Sequence, residues 1–348
     1  MLTNKQIKEI REHLEKAQNP VFFFDNDPDG LCSFLILQRF IKRGKGVAIR
    51  SFPGMNADYF RKVTELNADY IFILDKPVVS PEFFNEARNF NIPVVWIDHH
   101  RTDSEVPDFV SYYNPAMKEG KDSEPTTYMA YQIADRKEDV WLGVAGCISD
   151  RFVPDFYSDF VKAYPDLAAK GKDAFEIFYK AGIGRLVRIF SFALKDSTTN
   201  VMKMIKFLES AKDPYEVLEE CKENKTMHVR FRQIFRKYEK LLEKAKALAG
   251  KKKILFFRYS GDLSISADLA NELIFLFPEK MVFVFYLSGI KVNISARGKH
   301  IRSLFLKALE DFEDATGGGH EDAVGGRIRA EDIEKFKKSI ESELANNS

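Results

Sequence analysis

Pro93-Val94-Val95-Trp96-Ile97-Asp98-His99-His100 is the stretch whose reading decides the fold. A short, continuous apolar run bounded by polar residues has the length and composition of a strand buried on both faces of a parallel sheet. This one ends in a carboxylate and two imidazoles. Two more runs end in acid: Val21-Phe22-Phe23-Phe24 leads into Asp25-Asn26-Asp27-Pro28-Asp29-Gly30, and Tyr70-Ile71-Phe72-Ile73-Leu74 leads into Asp75. In open α/β sheets, ligands sit beyond the carboxyl ends of the strands. Three such strands would deliver five carboxylates and two histidines to one edge, which is the make-up of a metal site.

Outward from these runs, strands at 20–25, 46–52, 69–75 and 93–98 alternate with helical patterns near 30–43, 56–68 and 81–91. That alternation predicts βαβ units and a parallel sheet, hence the α/β class. A further helix is expected over 123–136, with Pro125 near its first turn. The apolar segment Trp141 to Ser149 is expected to be a helix ending near Asp150. From 155 to 249 the apolar residues recur at helical spacing among many lysines, with no strand pattern. Strands return at Ile254–Tyr259, Met281–Leu287 and Lys291–Ala296, with helices near 266–276, 301–313 and 330–344. The expected organisation is therefore a parallel-sheet domain over 1–154, a helical connector over 155–250 and a smaller α/β domain over 251–348.

Composition narrows the class of protein. The chain has 348 residues, long enough for two cores, and is 45% hydrophobic and 30% charged, as a globular protein is. Asn4 to Lys16 is polar and helix-forming, with no apolar run of a secretory leader. The most apolar C-terminal stretch, Leu273 to Leu287, is broken by Pro278-Glu279-Lys280 and is too short to span a bilayer. Cys32, Cys147 and Cys221 are an odd set without a CxxC pair, which fits a reducing, cytoplasmic setting and no disulfide or zinc framework. The net charge of +1 hides an asymmetry. Residues 1–150 carry 18 Lys/Arg against 23 Asp/Glu, a balance of −5, whereas residues 221–253 carry 12 against 3, a balance of +9. A basic stripe of that kind can follow a polyanion backbone or simply be the solvated face of a helix.

The acidic strand ends suggest specific chemistry. Asp27 and Asp29, one residue apart in a loop, can aim their carboxylates at neighbouring ions, and Gly30 permits a tight turn. Carboxylates with one or two imidazoles favour Mn²⁺ or Mg²⁺ over tetrahedral zinc. Two such ions about 3.5–4 Å apart activate a water and neutralise charge developing on a phosphoryl group. Asp75, alone on the middle loop, is the candidate bridge between them. Two alternatives stand beside this reading. The Asp25–Gly30 hexapeptide has the composition of an acidic, helix-capping turn, and Asp25 has the position of a covalent nucleophile in an Asp-x-Asp phosphatase. The latter leaves Asp98-His99-His100 without a role.

Asp27-Pro28-Asp29, Asp75, Asp98-His99-His100 and Asp150 within Gly146-Cys147-Ile148-Ser149-Asp150 together resemble the four motifs of the DHH phosphoesterase superfamily, in order and over residues 20–150. That group includes RecJ-type single-strand exonucleases, oligoribonucleases that also act on 3′-phosphoadenosine 5′-phosphate, cyclic dinucleotide phosphodiesterases and enzymes that cleave pyrophosphate or polyphosphate. The resemblance implies one ion held by Asp27 and Asp75, with Asp25 as a further candidate, and another held by Asp29, Asp75, His99 and Asp150. It implies that His100 faces the substrate phosphate and that Asp98 orients an imidazole. Phe23 stands where many members have a histidine, and Cys32-Ser33 where many have Gly-Ser; the pattern with Asp25 is closer to the RecJ-type branch.

In the C-terminal part, Gly317-Gly318-Gly319-His320, Ala323 and Gly325 resemble the glycine-rich loop of the substrate-binding domain that accompanies DHH domains, and Arg297 its strand-end arginine. Adjacent glycines let backbone N–H groups approach an anion, and a guanidinium suits bidentate phosphate contacts. The resemblance implies that Arg297, Gly317, Gly318, Gly319 and His320 bind a substrate phosphate across a cleft from the ions. Phe152, Phe156 and Tyr157 are candidates to stack on bases. The expected function is metal-dependent hydrolysis of phosphodiester bonds, as an exonuclease on single-stranded DNA or short RNA. The basic 221–253 segment favours such an extended polyanion. The alternatives are a small-molecule phosphatase or pyrophosphatase, a cyclic-dinucleotide or 3′-phosphoadenosine 5′-phosphate phosphodiesterase, and a non-catalytic replication scaffold. A scaffold would have lost metal ligands, and here all are present.

Overall fold

A computed structural model describes residues 1–50, 54–102, 105–117, 124–171 and 173–346. The chain forms two compact units, Met1–Arg232 and Gln233–Ser348. The first opens with α1 (Asn4–Lys16), whose Thr3 and Gln6 cap each other reciprocally. Then follow β1 (Pro20–Asp25), α2 (Pro28–Ile41), β2 (Lys45–Ile49), α3 (Phe60–Glu65), β3 (Tyr70–Leu74), α4 (Pro81–Asn89), β4 (Val94–Ile97) and β5 (Val110–Tyr113). Helices α5 (Thr126–Ala134) and α6 (Val140–Ser149) complete the part that carries the acidic motifs.

The five strands form one sheet in the order β2-β1-β3-β4-β5, with every pair parallel. Alternation along each strand explains why the runs are apolar without a break. Val21, Phe23, Ile71, Ile73, Val94 and Trp96 pack with Phe60 and Val63 of α3 and Phe83, Phe84 and Ala87 of α4. On the opposite face Phe24 stacks on Phe34 of α2, and Phe22 packs against the same ring at a tilt. A strand buried on both sides needs apolar residues at every position. The predicted strand over 46–52 is found as β2, and its last two positions lie outside the described residues. Strand β5 was not foreseen: Val-Ser-Tyr-Tyr is short, and no helical pattern precedes it to mark a βαβ unit.

Helices α7 (Tyr157–Ala163), α8 (Ala174–Lys180), α9 (Gly182–Ala193), α10 (Thr198–Leu208) and α11 (Pro214–Leu218) occupy the stretch read as a connector, with the long α12 (Lys225–Leu248) after them. Up to Arg232 this stretch belongs to the first compact unit. Tyr157 is buried, its hydroxyl donating to the carbonyl of Ala169 at 3.0 Å, so it is a packing residue rather than a base-stacking one. Phe152 and Phe156 lie against Tyr128, with ring centroids 5.4 and 5.8 Å away. Among the described residues no helix is long and apolar enough to cross a membrane.

The second unit contains β6 (Ile254–Ser260), α13 (Ser266–Leu276), β7 (Met281–Ser288), β8 (Lys291–Arg297), α14 (Ile301–Leu309), β9 (Thr316–His320), β10 (Ala323–Arg329) and α15 (Ile333–Asn346). Its mixed sheet runs β6-β7-β8-β10-β9, with only the β6–β7 pair parallel. Here one expectation is corrected. Gly317-Gly318-Gly319-His320 is not a loop but the exposed edge strand β9, paired antiparallel with β10 so that Gly317 faces Gly326 and His320 faces Ala323. The two-residue turn Glu321-Asp322 closes this hairpin. Glycines read as a flexible turn because they carry no side-chain period from which a strand could be recognised.

Candidate metal centre and active site

Parallel register builds the site. Phe24 pairs with Leu74 and Leu74 with Ile97, so Asp25, Asp75 and Asp98 leave the sheet side by side. Ile97 pairs with Tyr113, which brings Asn114 up next to Asp98. The ladder continues one step past the strands: the Asp75 N–H donates to the Ile97 carbonyl at 3.0 Å and the Asp98 N–H to the Tyr113 carbonyl at 3.1 Å. Asp75 itself has φ 60°, a left-handed conformation that costs a non-glycine residue about 1 kcal/mol. It is held there because the buried indole N–H of Trp96 donates to the carbonyl of the next residue, Lys76, at 2.9 Å.

Two helix N-termini supply the rest. Asp27 caps α2 by accepting the Gly30 N–H at 2.9 Å. Pro28 occupies the first turn, and Asp29 then points from that turn toward the start of α5. There it accepts the Thr127 N–H on one oxygen at 2.8 Å and the Thr126 N–H on the other at 3.0 Å. These are orphan donors of a helix N-terminus, and a carboxylate is their natural partner. The Thr127 hydroxyl donates to the Asp29 carbonyl at 2.8 Å, and the Thr126 hydroxyl lies 3.3 Å from Asp75 Oδ1. Asp150 follows directly on α6 and is the most exposed of the acids, at 42% for its side chain.

The imidazole of His99 ties the clusters together. Its Nε2 lies 3.2 Å from Asp75, 3.5 Å from Asp150 and 3.8 Å from Asp29. His100 Nδ1 lies 2.9 Å from Asp98 Oδ1 and 3.8 Å from Asp75. Asn114 holds this corner, its amide donating to the His100 carbonyl at 2.8 Å and lying 3.4 Å from Asp98 Oδ2. Three groups have their donor atoms within 4.8 Å of one another: Asp75, His99 and His100; Asp29, His99 and Asp150; and Asp25, Asp27 and Asp75. Asp75 belongs to two of these groups and His99 to two.

The electrostatics of the cluster favour a bound cation. Burial raises the carboxyl of Asp27 to about 7, and the charges of Asp25, Asp29 and Asp150 push the same way against the Gly30 hydrogen bond. Burial likewise raises Asp29, and it raises Asp75 well above the usual carboxylate range, with the four neighbouring aspartates adding to it. Buried like charges resist ionisation unless a cation joins them. Carboxylate oxygens with imidazole nitrogen form a donor set suited to a hard divalent ion such as Mn²⁺ or Mg²⁺, so the residues fit the metal that the motifs imply. His100 behaves oppositely. Burial lowers its pKa, but the hydrogen bond and charge of Asp98 outweigh this and bring it to about 9, which favours the imidazolium in the metal-free protein.

The structure thus brings Asp25, Asp27, Asp29, Asp75, Asp98, His99, His100 and Asp150 into one cluster. Arg297 and Gly317–His320 lie in the second unit. The guanidinium of Arg297 donates to Asn271 Oδ1 at 2.6 Å and to the carbonyls of Ala296 and Val324 at 2.8 and 3.2 Å. Sequence reasoning missed Lys76, Asn114, Thr126 and Thr127. The threonines did carry a signal, since Pro125-Thr126-Thr127 marks a helix start whose amide donors need an acceptor. Lys76 carried none.

A parallel sheet with carboxylates and imidazoles converging at its carboxyl edge defines an α/β protein with a site suited to divalent ions, and comparison with known proteins gives the family. Residues 21–148 match the DHH family, N-terminal domain, and residues 250–346 match the DHHA1 domain. The chain belongs to the DHH superfamily and has a RecJ-like phosphoesterase fold. It is similar in structure to RecJ in complex with Mn²⁺ from Thermus thermophilus (17% identity, TM-score 0.69), covering 98% of this chain and 54% of that one. The chain therefore spans about half the length of that relative. A second structure, exonuclease RecJ bound to manganese, has 16% identity and a TM-score of 0.65, with 98% of this chain and 94% of that one covered. An exopolyphosphatase-related protein from Bacteroides fragilis has 15% identity and a TM-score of 0.53, with 98% of both chains covered. Comparison with curated proteins gives no match.

Proposed function

We propose that this protein is a metal-dependent phosphoesterase that hydrolyses phosphodiester bonds, acting as an exonuclease on single-stranded DNA or short RNA. The observation that carries the reading is that Asp75 belongs both to the group with Asp25 and Asp27 and to a group with His99, the place of a carboxylate shared by two neighbouring ions. Asp27 and Asp75, with Asp25 at hand, would hold one ion; Asp29, Asp75, His99 and Asp150 would hold the other. Two Mn²⁺ or Mg²⁺ ions held there would supply a water of lowered pKa and a countercharge for a phosphoryl oxygen. The remaining work falls to the chain. His100, fixed through Nδ1 by Asp98, presents its other N–H as a charged donor to a phosphate oxygen. Asp98 keeps that imidazole charged and aimed. Arg297 and Gly317–His320 are the candidate contacts to a second phosphate.

The preference for an extended substrate rests on α12. Arg236, Lys240 and Lys244 are exposed, engage in no ion pair among the described residues, and repeat every fourth residue, about 6 Å apart along the helix. The protein is tested by incubating it with Mn²⁺ and end-labelled single-stranded DNA, short RNA, pyrophosphate and 3′-phosphoadenosine 5′-phosphate. Stepwise shortening of the oligonucleotides is expected. Turnover of the small phosphates alone would reject the nuclease and leave a small-molecule phosphoesterase. Outer partners of a metal site cost about 10–100-fold when removed, so Asp75→Asn and His99→Ala should each cost about 100-fold or more. Undiminished activity in both variants would refute the ligand assignment.

A further inference from the structure

Lys76 is buried, 3% exposed, beside the most acidic part of the molecule. Its ammonium has one partner among the described residues, Asp25 Oδ1 at 2.9 Å, although an ammonium has three protons to donate. The same Asp25 oxygen also accepts the Asn26 N–H at 2.9 Å. The lysine backbone cannot drift, because its carbonyl is held by Trp96 and the preceding Asp75 is locked at positive φ. Asp25 is at the same time one of the three residues whose oxygens converge with those of Asp27 and Asp75. One carboxylate is thus claimed from two sides, by an ammonium and by a prospective divalent ion.

We infer that Lys76 is a resident cation of this site, which holds Asp25 and weakens divalent-ion binding at the Asp25/Asp27/Asp75 position relative to the Asp29/Asp75/His99/Asp150 position. This rests on the metal-dependent reading above and adds the rank of the two positions and its cause. A fixed positive charge a few ångströms from an ion opposes it at close range, where screening by solvent is small. The same charge partly neutralises the crowded aspartates, so the metal-free protein depends on it more than the loaded one does.

The test is Mn²⁺ binding to the full chain, followed by calorimetry and by the electron paramagnetic resonance of free Mn²⁺, together with thermal unfolding of the metal-free protein. Wild type should bind in a tight and a weak step. Lys76→Met should tighten the weak step by about tenfold or more, lower the metal-free melting temperature and recover it on adding Mn²⁺. The double variant Lys76→Met/Asp25→Asn removes both charges, keeps a folded metal-free protein in hand if the single variant unfolds, and should lose the tightening. If Lys76→Met leaves the weak step and the metal-free stability unchanged, or if the double variant fails to restore a metal-free fold that the single variant has lost, the inference falls. It also falls if Lys76→Met weakens Mn²⁺ binding, because the lysine would then be a prop for a ligand rather than a competitor. In both of those cases wild type still binds Mn²⁺, so the metal centre stands. A wild type that binds no Mn²⁺ overturns the centre and the inference together.

Discussion

Gly30 shows how tightly the residues around Asp25 are constrained. A methyl group there would come within 2.4 Å of the Asp25 carbonyl oxygen and 2.7 Å of its nitrogen, both backbone atoms that cannot turn aside. Gly30→Ala must therefore push the first turn of α2 away from β1, moving Asp27 and Asp29 together. The expected cost is roughly 1–3 kcal/mol of stability, the range for overpacking. It should be read as a lower urea midpoint and weaker Mn²⁺ binding; an unchanged midpoint would mean that the turn has room. At this scale the acids and histidines were legible, because each ends an apolar run. Lys76 was not, because its burial and its partner depend on the register of β1 against β3. Asn114 was hidden for the same reason, its strand being unrecognised.

Among the elements, α12 carries the clearest acid-sensitive contact outside the site. His228 lies in its first turns, buried, with Nε2 2.9 Å from the carbonyl of Val217, to which it donates as a neutral imidazole. Burial lowers its pKa below 6.5; the Val217 carbonyl and Glu220 oppose this, while Arg232 and Arg185 reinforce it. The unfolded chain therefore binds the proton more readily than the folded one. The stabilisation is fully present above pH 6.5 and falls away as pH drops below it. His228→Gln removes the titration and keeps an N–H donor. Its urea stability should change less between pH 7.5 and 5.5 than that of wild type, and parallel curves would show that His228 adds nothing. Helix α6 shows a second kind of constraint. A methyl group at Gly146 would lie 2.1 Å from Thr127 Oγ1, so the close approach of α6 to α5 sets the threonine that braces Asp29. Helices and long apolar strands were readable from periodicity, whereas β9 and β10 were not recognised, since Thr316-Gly317-Gly318-Gly319-His320 lacks any alternation.

For the molecule as a whole, charge is divided between an acidic N-terminal portion and a basic stretch at 221–253. The site gathers aspartates around places for cations, while α12 displays Arg236, Lys240 and Lys244. If that face tracks a phosphodiester backbone, the variant with alanine at all three positions should bind oligothymidylate more weakly. Its slope of log affinity against log salt should be shallower by about 2, at roughly 0.7 per phosphate on a single strand. Alanine keeps the helix, so folding is not at stake. Small phosphate substrates should be cleaved at the wild-type rate. An unaltered salt slope would assign the stripe to solvent alone.

The sequence by itself determined the α/β class, the order of the acidic motifs and the edge of the sheet where they emerge. These follow from the lengths of apolar runs and from what terminates them, which are local properties of the chain. The tertiary structure alone decided which donors converge. The in-register pairing of β1, β3 and β4 sets Asp25, Asp75 and Asp98 in a row, the start of α5 orients Asp29, and a buried lysine meets Asp25. It also decided that the triple-glycine run is a paired edge strand. Contacts such as Lys76 with Asp25 and Thr127 with Asp29, 51 and 98 positions apart, depend on register and helix packing, and no local pattern along the chain encodes them.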